Sequence, residues 1–183
     1  EYALYYYDGN ESNMITDVYY HRADDELCEG REELFVSENV PVISYVAYDS
    51  KEEQTDTTRY IAVRDSITNI EIEKEMKQCI INETGTLVYY FDNVSDEDSC
   101  GDLYQITINK GKVGEPHMYD SDVMIGGCEF VDNTRIKYFK DYSKFNTADL
   151  YINKERIDYD VYGTSVLVKS DKVIYMTDYD DEK

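Results

Sequence analysis

Apolar and polar positions recur with one fixed spacing three times in the C-terminal part of the chain. The copies begin with short apolar runs at 79–82, 128–131 and 165–168. An apolar residue follows eight positions after each start, a tyrosine ten positions after it and an aspartate thirteen positions after it. We call this spacing the repeat frame, and its three copies predict a modular fold. The residues at these places are Leu87, Tyr89 and Asp92 in the first copy, Ile136, Tyr138 and Asp141 in the second, and Val173, Tyr175 and Asp178 in the third.

Each unit is predicted to consist of short strands separated by polar turns. Leu103 and Leu150 open similar strand-like runs and are 47 positions apart, while Tyr60 and Leu103 are 43 apart. A period of this length fits a four-stranded blade. Long helical periodicity is absent, and the best helical candidate, 70–76, alternates Ile and Glu as a strand does.

We therefore predict an all-β, β-propeller-like fold with about four repeat units of three to four antiparallel strands. A single domain, 1–183, accommodates them at 183 residues. The units are placed at approximately 1–58, 59–101, 102–148 and 149–183.

The first unit is irregular, because about a dozen extra residues separate its early strands, including the acidic segment 21–30. Insertions in repeat proteins fall in loops on one face, which is often the binding face. Alternatively, the insertion is a surface loop without a binding role, or a short helix. The candidate ligand-binding residues lie in this insertion and just before it: Tyr19, Tyr20, His21, Arg22, Asp24 and Asp25.

Charge limits the classes of partner. The chain has 40 Asp and Glu against 18 Lys and Arg, a formal net charge of -22, yet 42% of its residues are apolar and can supply a core. Such acidity repels phosphate backbones and anionic membrane surfaces, and the basic residues are scattered, so nucleic acid is not expected as a partner. The negative charge is consistent with a cationic partner or with divalent ions. It is equally consistent with a solvated surface that binds nothing.

Membrane insertion of this segment is not predicted, because no apolar run approaches the roughly 20 residues that a spanning helix needs. The sequence opens on strand-like residues, which suggests a mature or trimmed domain that an anchor outside this segment could tether to a membrane.

The cysteines Cys28, Cys79, Cys100 and Cys128 show no CxxC spacing, and only two histidines accompany them, so a zinc site is not expected. Disulfides are allowed by the sequence but not required. Cys79 and Cys128 hold the same place in successive units, which indicates small core residues too far apart to bridge.

Enzyme signatures are missing from the chain. It contains no nucleophile elbow, phosphate-binding loop, dinucleotide fingerprint or HExxH motif, and His117 lies in a predicted loop without a nucleophile nearby. The repeated aspartates Asp92, Asp141 and Asp178 are interpreted as turn residues that bond local backbone. No cofactor is predicted. The oxygen-rich stretches 92–98 and 178–182 could bind calcium opportunistically, although neither has EF-hand spacing.

Several motifs together resemble a known repeat family. They are Leu4-Tyr5-Tyr6-Tyr7-Asp8-Gly9, Thr16-Asp17-Val18, Ser121-Asp122-Val123, Tyr159-Asp160-Val161 and 173–180. This set resembles the TolB-like and WD-like β-propeller repeats of extracytoplasmic proteins of Gram-positive bacteria. The resemblance covers nearly the whole chain, most clearly 60–183, but it fails in the first unit, and no zinc ribbon or membrane anchor accompanies it. It implies a place outside the cell or on the bacterial cell surface, and a fold without one fixed chemistry.

Two architectures follow from the resemblance. Four units could close a ring if residues 4–7 pair with the last unit, which would remove exposed sheet edges. Alternatively, the chain is a partial propeller.

The predicted function is a non-catalytic extracytoplasmic binding or interaction module for a protein or glycan ligand. One alternative is a carbohydrate-active hydrolase or lyase that uses carboxylates in the propeller mouth. The other is a structural spacer.

Overall fold

The structure is a computed structural model that describes twelve stretches of the chain. Within these stretches every regular element is a β-strand and no α-helix occurs, which confirms the all-β prediction. The stretches are 2–7, 12–19, 34–36, 42–48, 57–63, 66–72, 79–95, 99–110, 112–142, 147–163, 166–169 and 172–177.

Seventeen strands are found in this part of the chain. They are β1 (Tyr2–Tyr7), β2 (Ser12–Tyr19), β3 (Leu34–Val36), β4 (Val42–Tyr48), β5 (Thr57–Val63), β6 (Ser66–Ile72), β7 (Cys79–Ile81), β8 (Leu87–Ser95), β9 (Cys100–Asn109), β10 (Lys112–Val113), β11 (His117–Met124), β12 (Glu129–Phe130), β13 (Ile136–Lys140), β14 (Thr147–Ile152), β15 (Glu155–Tyr162), β16 (Leu167–Lys169) and β17 (Lys172–Ile174).

Three antiparallel arrays of four strands follow one another along the chain. Their strand orders are β3-β4-β5-β6, β7-β8-β9-β11 and β12-β13-β14-β15. The hairpin β1-β2 joins the first array where Tyr19 lies opposite Ala47, and the short strand β10 pairs with the end of β9. The hairpin β16-β17 forms a two-stranded sheet of its own. The structure therefore consists of several antiparallel sheets built mainly from strands that are neighbours in sequence.

The repeat frame corresponds to the first hairpin of the second and third arrays and to the separate hairpin β16-β17. Its copies at Cys79, Cys128 and Ser165 supply β7-β8, β12-β13 and β16-β17. The structure adds a fourth hairpin of this kind, β3-β4, which the sequence did not reveal. Leu34 lies opposite Tyr45 there, eleven positions away, as Cys79 lies opposite Tyr90.

A β-bulge interrupts the last strand of several units. The pairing register shifts between Asp120 and Val123 in β11, between Asp158 and Val161 in β15, and between Thr16 and Tyr19 in β2. These are the three Asp-Val motifs of the sequence. Asp122 and Asp160 have φ angles of 54° and 52°, a left-handed conformation that aspartate tolerates better than most residues.

The core lies between successive sheets, because alternate residues of a strand point to opposite faces. Tyr89 and Phe91 of β8 pack with Cys128, Ile136 and Tyr138 of the following sheet. On the other face of β8 is a separate cluster formed by Cys79, Val88, Tyr90, Ile106 and Ile108. The frame's cysteine positions in the first two copies are therefore core positions, as the sequence predicted, and the structure shows that its tyrosine positions are buried as well.

The Cys128 thiol is free, so no disulfide joins it to Cys79. Burial raises the pKa of the Cys128 thiol, and the charge of Lys137 offsets only part of that rise. Both cysteines are buried, in agreement with their interpretation as small core residues. Cys28 lies outside the described residues.

Candidate functional site

The ligand-binding residues predicted from the insertion lie almost entirely outside the described residues. Tyr20, His21, Arg22, Asp24 and Asp25 all belong to that group. Tyr19 is the last residue of β2, and its backbone lies opposite Ala47. The binding face predicted from these residues stays a prediction.

A cleft of about 700 Å³ lies where the sheet containing β8, β9 and β11 meets the end of β13. Three separate segments of the chain supply its walls. Its lining residues are Asn93, Ser95, Ser99, Cys100, Gly101, Asp102, Asp122, Met124, Asp141 and Tyr142.

The first wall is formed by the end of β8 and the start of β9. Asn93 lies where the pairing register of these strands shifts, and Asn93 and Ser99 both have left-handed backbone conformations, with φ angles of 49° and 53°. The Asn93 side chain donates a hydrogen bond from Nδ2 to Oδ2 of Asp102, 2.9 Å away. Gly101 is tightly placed, since a Cβ there would stand 3.0 Å from the carbonyl oxygen of Asp92. The two strand ends are thus held together by a side-chain hydrogen bond and by close backbone packing.

The other two walls come from β11 and from the residues after β13. Asp122 sits in the β11 bulge, and Met124 ends that strand. Asp141 follows β13 with a φ angle of 54°, and Tyr142 next to it is 48% exposed. The bulge and the left-handed turn therefore place two carboxylate-bearing residues and one exposed aromatic ring along the cleft.

Asp120 links these two walls. Its Oδ2 accepts a 2.6 Å hydrogen bond from the Tyr138 hydroxyl, and its Oδ1 lies 3.0 Å from Nζ of Lys140. The Ser121 N–H also donates to Oδ1, at 2.9 Å. Because Tyr138 and Lys140 belong to β13, this bonding fixes β11 against β13 directly behind the cleft.

The electrostatics of the link follow from its partners. Burial alone would raise the pKa of Asp120, but the hydrogen bonds from Tyr138 and Lys140 and the charge of Lys140 outweigh it, so the pKa is lowered. Burial raises the pKa of Tyr138, and its hydrogen bond to the carboxylate raises it further. At neutral pH the link is therefore an ionised carboxylate held by a protonated hydroxyl and an ammonium group.

A similar pair is found one unit later. Asp158 in β15 occupies the place of Asp120, and its Oδ1 accepts the Tyr159 N–H at 2.9 Å. Burial raises the pKa of Tyr175, the frame equivalent of Tyr138, and the Asp158 carboxylate raises it further. A tyrosine of one frame copy thus interacts with an aspartate of the bulged strand before it at two successive junctions.

Aromatic rings extend the packing between the two sheets. Tyr138 stacks on Tyr151 with centroids 5.6 Å apart, and Tyr119 meets Tyr89 edge to face at 5.0 Å. Nζ of Lys154 lies 4.5 Å from the centroid of Tyr119. These contacts add to the bonds of Asp120 in holding β11 against the neighbouring strands.

The cleft is negatively charged. Asp102, Asp122 and Asp141 line it, and none of the described lining residues is Lys, Arg or His. Asp102 also lies directly opposite Asp92 across β8 and β9. Like charges placed opposite each other destabilise a sheet when no cation is bound beside them. Chemically, the cleft can accept hydrogen bonds and attract a cation.

A metal centre is not found in the part of the chain that the structure describes, which contains no group of three or more His, Cys, Asp or Glu arranged to hold one. The calcium candidate at 178–182 lies outside that part, and of the candidate at 92–98 only 92–95 belong to it.

Sequence reasoning named some residues of the cleft without assigning them to a site. Asp141 was interpreted as a turn residue, and its left-handed φ angle agrees with that role. Asp122 belonged to an Asp-Val motif of the resemblance. Both aspartates recur at fixed places in successive units, and equivalent places in stacked units lie on one face. This recurrence could have indicated that the two residues share a site.

Comparisons with known proteins leave the family open. No protein-family model matches the chain, and neither curated proteins nor solved structures gave a match. The resemblance to propeller repeats stays a prediction. Among the described residues, no helix has the length and apolar character needed to cross a membrane.

Proposed function

We propose that this chain is a non-catalytic binding domain whose cleft receives a positively charged group of a partner protein, such as a Lys or Arg side chain. The observation that carries the proposal is a 700 Å³ cleft lined by three aspartates and, among the described lining residues, by no basic side chain. The exposed ring of Tyr142 at its edge adds a surface on which the apolar stem or the charge of such a side chain can pack.

The overall charge supports a cationic ligand. A protein with a net charge of -22 attracts basic segments over a distance of about one Debye length, roughly 8 Å at physiological salt. Among the described residues, no Lys or Arg forms an ion pair with Asp102, Asp122 or Asp141. Their charge is therefore available to a ligand.

The geometry supports binding in preference to acid–base catalysis. Asp122 and Asp141 are exposed, whereas a general acid at neutral pH needs a shielded carboxyl with a raised pKa. Among the described residues, the two carboxyls whose pKa clearly changes are Asp120 and Asp132, and both pKa values are shifted downward. Asp132 owes its shift to hydrogen bonds from the Thr134 backbone and the Arg135 side chain.

The proposal also includes a propeller-like scaffold and a location outside the cytoplasm. The serial four-stranded arrays and their equivalent junctions support a propeller-like arrangement of about four units. The extracytoplasmic, cell-surface location rests on the resemblance of the repeat motifs alone.

A binding screen tests the proposed function. Matched peptides carrying Lys, Arg, Gln or Glu at one position, together with a glycan panel, would be measured by fluorescence anisotropy with and without calcium. We expect Lys or Arg peptides to bind, with an affinity that falls as salt rises. Binding of glycans alone, or equal binding of Gln and Lys peptides, would overturn the cationic-ligand proposal.

Variants localise the binding. Asp122→Asn and Asp141→Asn remove charge while keeping a residue that tolerates a left-handed φ. Each should weaken binding by about two- to fivefold, the usual worth of an exposed ion pair. Glu155→Gln makes the same charge change on exposed β15, away from the cleft residues, and should leave the affinity unchanged. Equal effects of all three variants would argue for diffuse attraction without a site.

A further inference from the structure

The last two strands of the second and third arrays correspond residue by residue. Every opposed pair of β9 and β11 has a counterpart in β14 and β15, with a constant offset of 47 positions from β9 to β14 and of 38 positions from β11 to β15. The register shifts also fall at the same places. By this correspondence Asp102 of the cleft is the counterpart of Asp149, and Met118 is the counterpart of Arg156.

In the third array the chain itself supplies cations to this aspartate. Arg156 lies opposite Tyr151, two residues along β14 from Asp149 and on the same face. Its Nη1 is 3.1 Å from Oδ2 of Asp149, whose side chain is 15% exposed. Lys140 adds a second positive charge, because it lies opposite Asp149 across β13 and β14. A carboxylate at this place of the unit therefore has a cationic residue on each neighbouring strand.

Asp102 has the same place in the second array, but the neighbouring cations are replaced. Met118 stands where the third array has Arg156, and Asp92 lies opposite Asp102 across β8 and β9. The Asp102 carboxylate accepts a hydrogen bond from Asn93, a neutral side chain, and among the described residues it forms no ion pair. The second unit thus keeps the carboxylate of the third without the positive charges that accompany it there.

We propose that Asp102 binds an arginine side chain of the partner, with the guanidinium group placed as that of Arg156 is placed beside Asp149. This inference rests on the proposed function and narrows the cationic ligand of the cleft from Lys or Arg to Arg. Asp102 is then the residue that determines this specificity.

The chemistry of the two cations favours arginine. A planar guanidinium group can donate two parallel hydrogen bonds to one carboxylate, whereas the ammonium group of lysine acts as a strongly hydrated point charge. Met118 is 55% exposed and stands where the stem of Arg156 begins in the third array. It therefore offers apolar surface on which the methylene groups of an incoming arginine can pack.

Matched peptides test the preference on the unaltered chain. They would carry Arg, Lys or citrulline at one position, because citrulline keeps the shape of arginine without its charge. Fluorescence anisotropy at physiological salt measures their affinities. We expect the Arg peptide to bind at least about fivefold more tightly than the Lys peptide and about tenfold more tightly than the citrulline peptide.

The outcomes separate this inference from the proposed function. Equal affinities of the Arg and Lys peptides, with weaker binding of citrulline, would overturn the choice of arginine and leave the cationic-ligand cleft standing. If neither the Arg nor the Lys peptide bound, both proposals would fall.

Two variants that remove charge locate the preference. Asp102→Asn should lower the ratio of Arg to Lys affinity to about one, since the paired hydrogen bonds to a carboxylate are lost. Asp141→Asn removes an equal charge elsewhere in the cleft, so it should weaken both peptides alike and keep the ratio. A ratio that stays unchanged in Asp102→Asn would contradict the assignment of this residue.

Met118→Arg gives the second array the internal arginine of the third. The shared register lets the new guanidinium group reach Asp102 and compete with the ligand, so affinity for the Arg peptide should fall about fivefold or more. Asn109→Arg adds the same charge at the exposed end of β9, roughly 20 Å along the strand from Asp102, and should change the affinity less than about twofold. Equal effects of the two variants would mean diffuse repulsion and would overturn the proposed arginine position.

Discussion

The hydroxyl of Tyr138 donates a 2.6 Å hydrogen bond to Oδ2 of Asp120 and so joins β13 to the bulged strand β11. The residues that follow each partner, Asp122 on one strand and Asp141 beyond the other, line the cleft. The Asp158 carboxylate likewise acts on Tyr175 and raises its pKa. The bond between Tyr138 and Asp120 thus joins two successive sheets close in sequence to residues that line the cleft.

Removal of the Tyr138 hydroxyl should weaken this fastening. In Tyr138→Phe, Asp120 keeps Lys140 and the Ser121 N–H as partners, so we expect a loss of about 1–2 kcal/mol in the free energy of unfolding. Urea denaturation measures the change. Tyr5→Phe, which removes a hydroxyl from an exposed ring, is the control and should change stability by less than about 0.5 kcal/mol. Equal losses in the two variants would show that the bond contributes nothing.

Acid should abolish the contribution of the Asp120 carboxylate. Its folded-state pKa is lowered, so its stabilising effect is complete above the unfolded value of about 3.9 and is lost as pH falls through the folded value. We therefore expect Asp120→Asn to cost about 1.5–3 kcal/mol at pH 7 and progressively less below about pH 4.

The measurement is the difference in unfolding free energy between Asp120→Asn and the unaltered chain from pH 7 to pH 2. Taking a difference cancels much of the pH effect that the large net charge has on both proteins. A difference that stays constant across this range would contradict an ionised Asp120 in the link.

The residues of the frame were predictable because their environment is set by local alternation. A tyrosine ten positions after a buried cysteine must return on the neighbouring strand, and Tyr89 and Tyr138 are buried accordingly. The hairpin β3-β4 escaped detection. Its pairing of Leu34 with Tyr45 matches that of a frame hairpin, but its sequence has no tyrosine and no aspartate at the frame's positions.

The cleft could not be derived in this way. Asn93, Asp122 and Asp141 are far apart in sequence, and they meet only because two sheets pack and each of the three residues takes a left-handed conformation. Sheet packing depends on contacts between units. The spacing of the repeat frame describes only one unit and therefore does not predict these contacts. The bulge at the Asp-Val motif was likewise hidden, because a register shift appears only when both strands are aligned.

The left-handed conformation of Asp160 should decide which residues are accepted in the β15 bulge. Asp160→Asn and Asp160→Gly both tolerate a φ angle of 52° and should remain within about 0.5 kcal/mol of the unaltered chain. Asp160→Val places a β-branched side chain in that conformation and should cost about 1–2 kcal/mol. Thermal denaturation of the three variants provides the check. If Val were tolerated as well as Asn, the bulge would not require this conformation.

Asn82 should be among the least replaceable polar residues, because it is 1% exposed and its amide makes several bonds. Its Oδ1 accepts the N–H groups of Thr86 and Leu87, and its Nδ2 donates to the carbonyl oxygen of Asn133 in the next unit. Asn82→Ala leaves these groups without a partner and should cost about 2–4 kcal/mol, measured by urea denaturation. Asn109→Ala, at an exposed strand end, should cost less than about 0.5 kcal/mol. Similar costs for both would contradict this role.

Gly127 should resist even one added methyl group. A Cβ at this position would stand 2.5 Å from Cδ2 of Phe139, a ring that packs with Leu150 and Val161 in the core. Gly127→Ala must therefore move the ring and should cost about 1–3 kcal/mol in unfolding free energy. Gly163→Ala is the matched control, because no heavy atom lies within 4 Å of its Cβ position.

A double-mutant cycle separates this clash from an effect on the backbone. Phe139→Leu removes the ring edge that the new methyl group would strike, so Gly127→Ala should cost less in the Phe139→Leu background than in the unaltered chain. We expect a coupling energy of at least about 0.5 kcal/mol, obtained from urea denaturation of the four proteins. Strict additivity would mean that the ring is not what excludes a side chain at Gly127, and that the cost arises from the backbone alone.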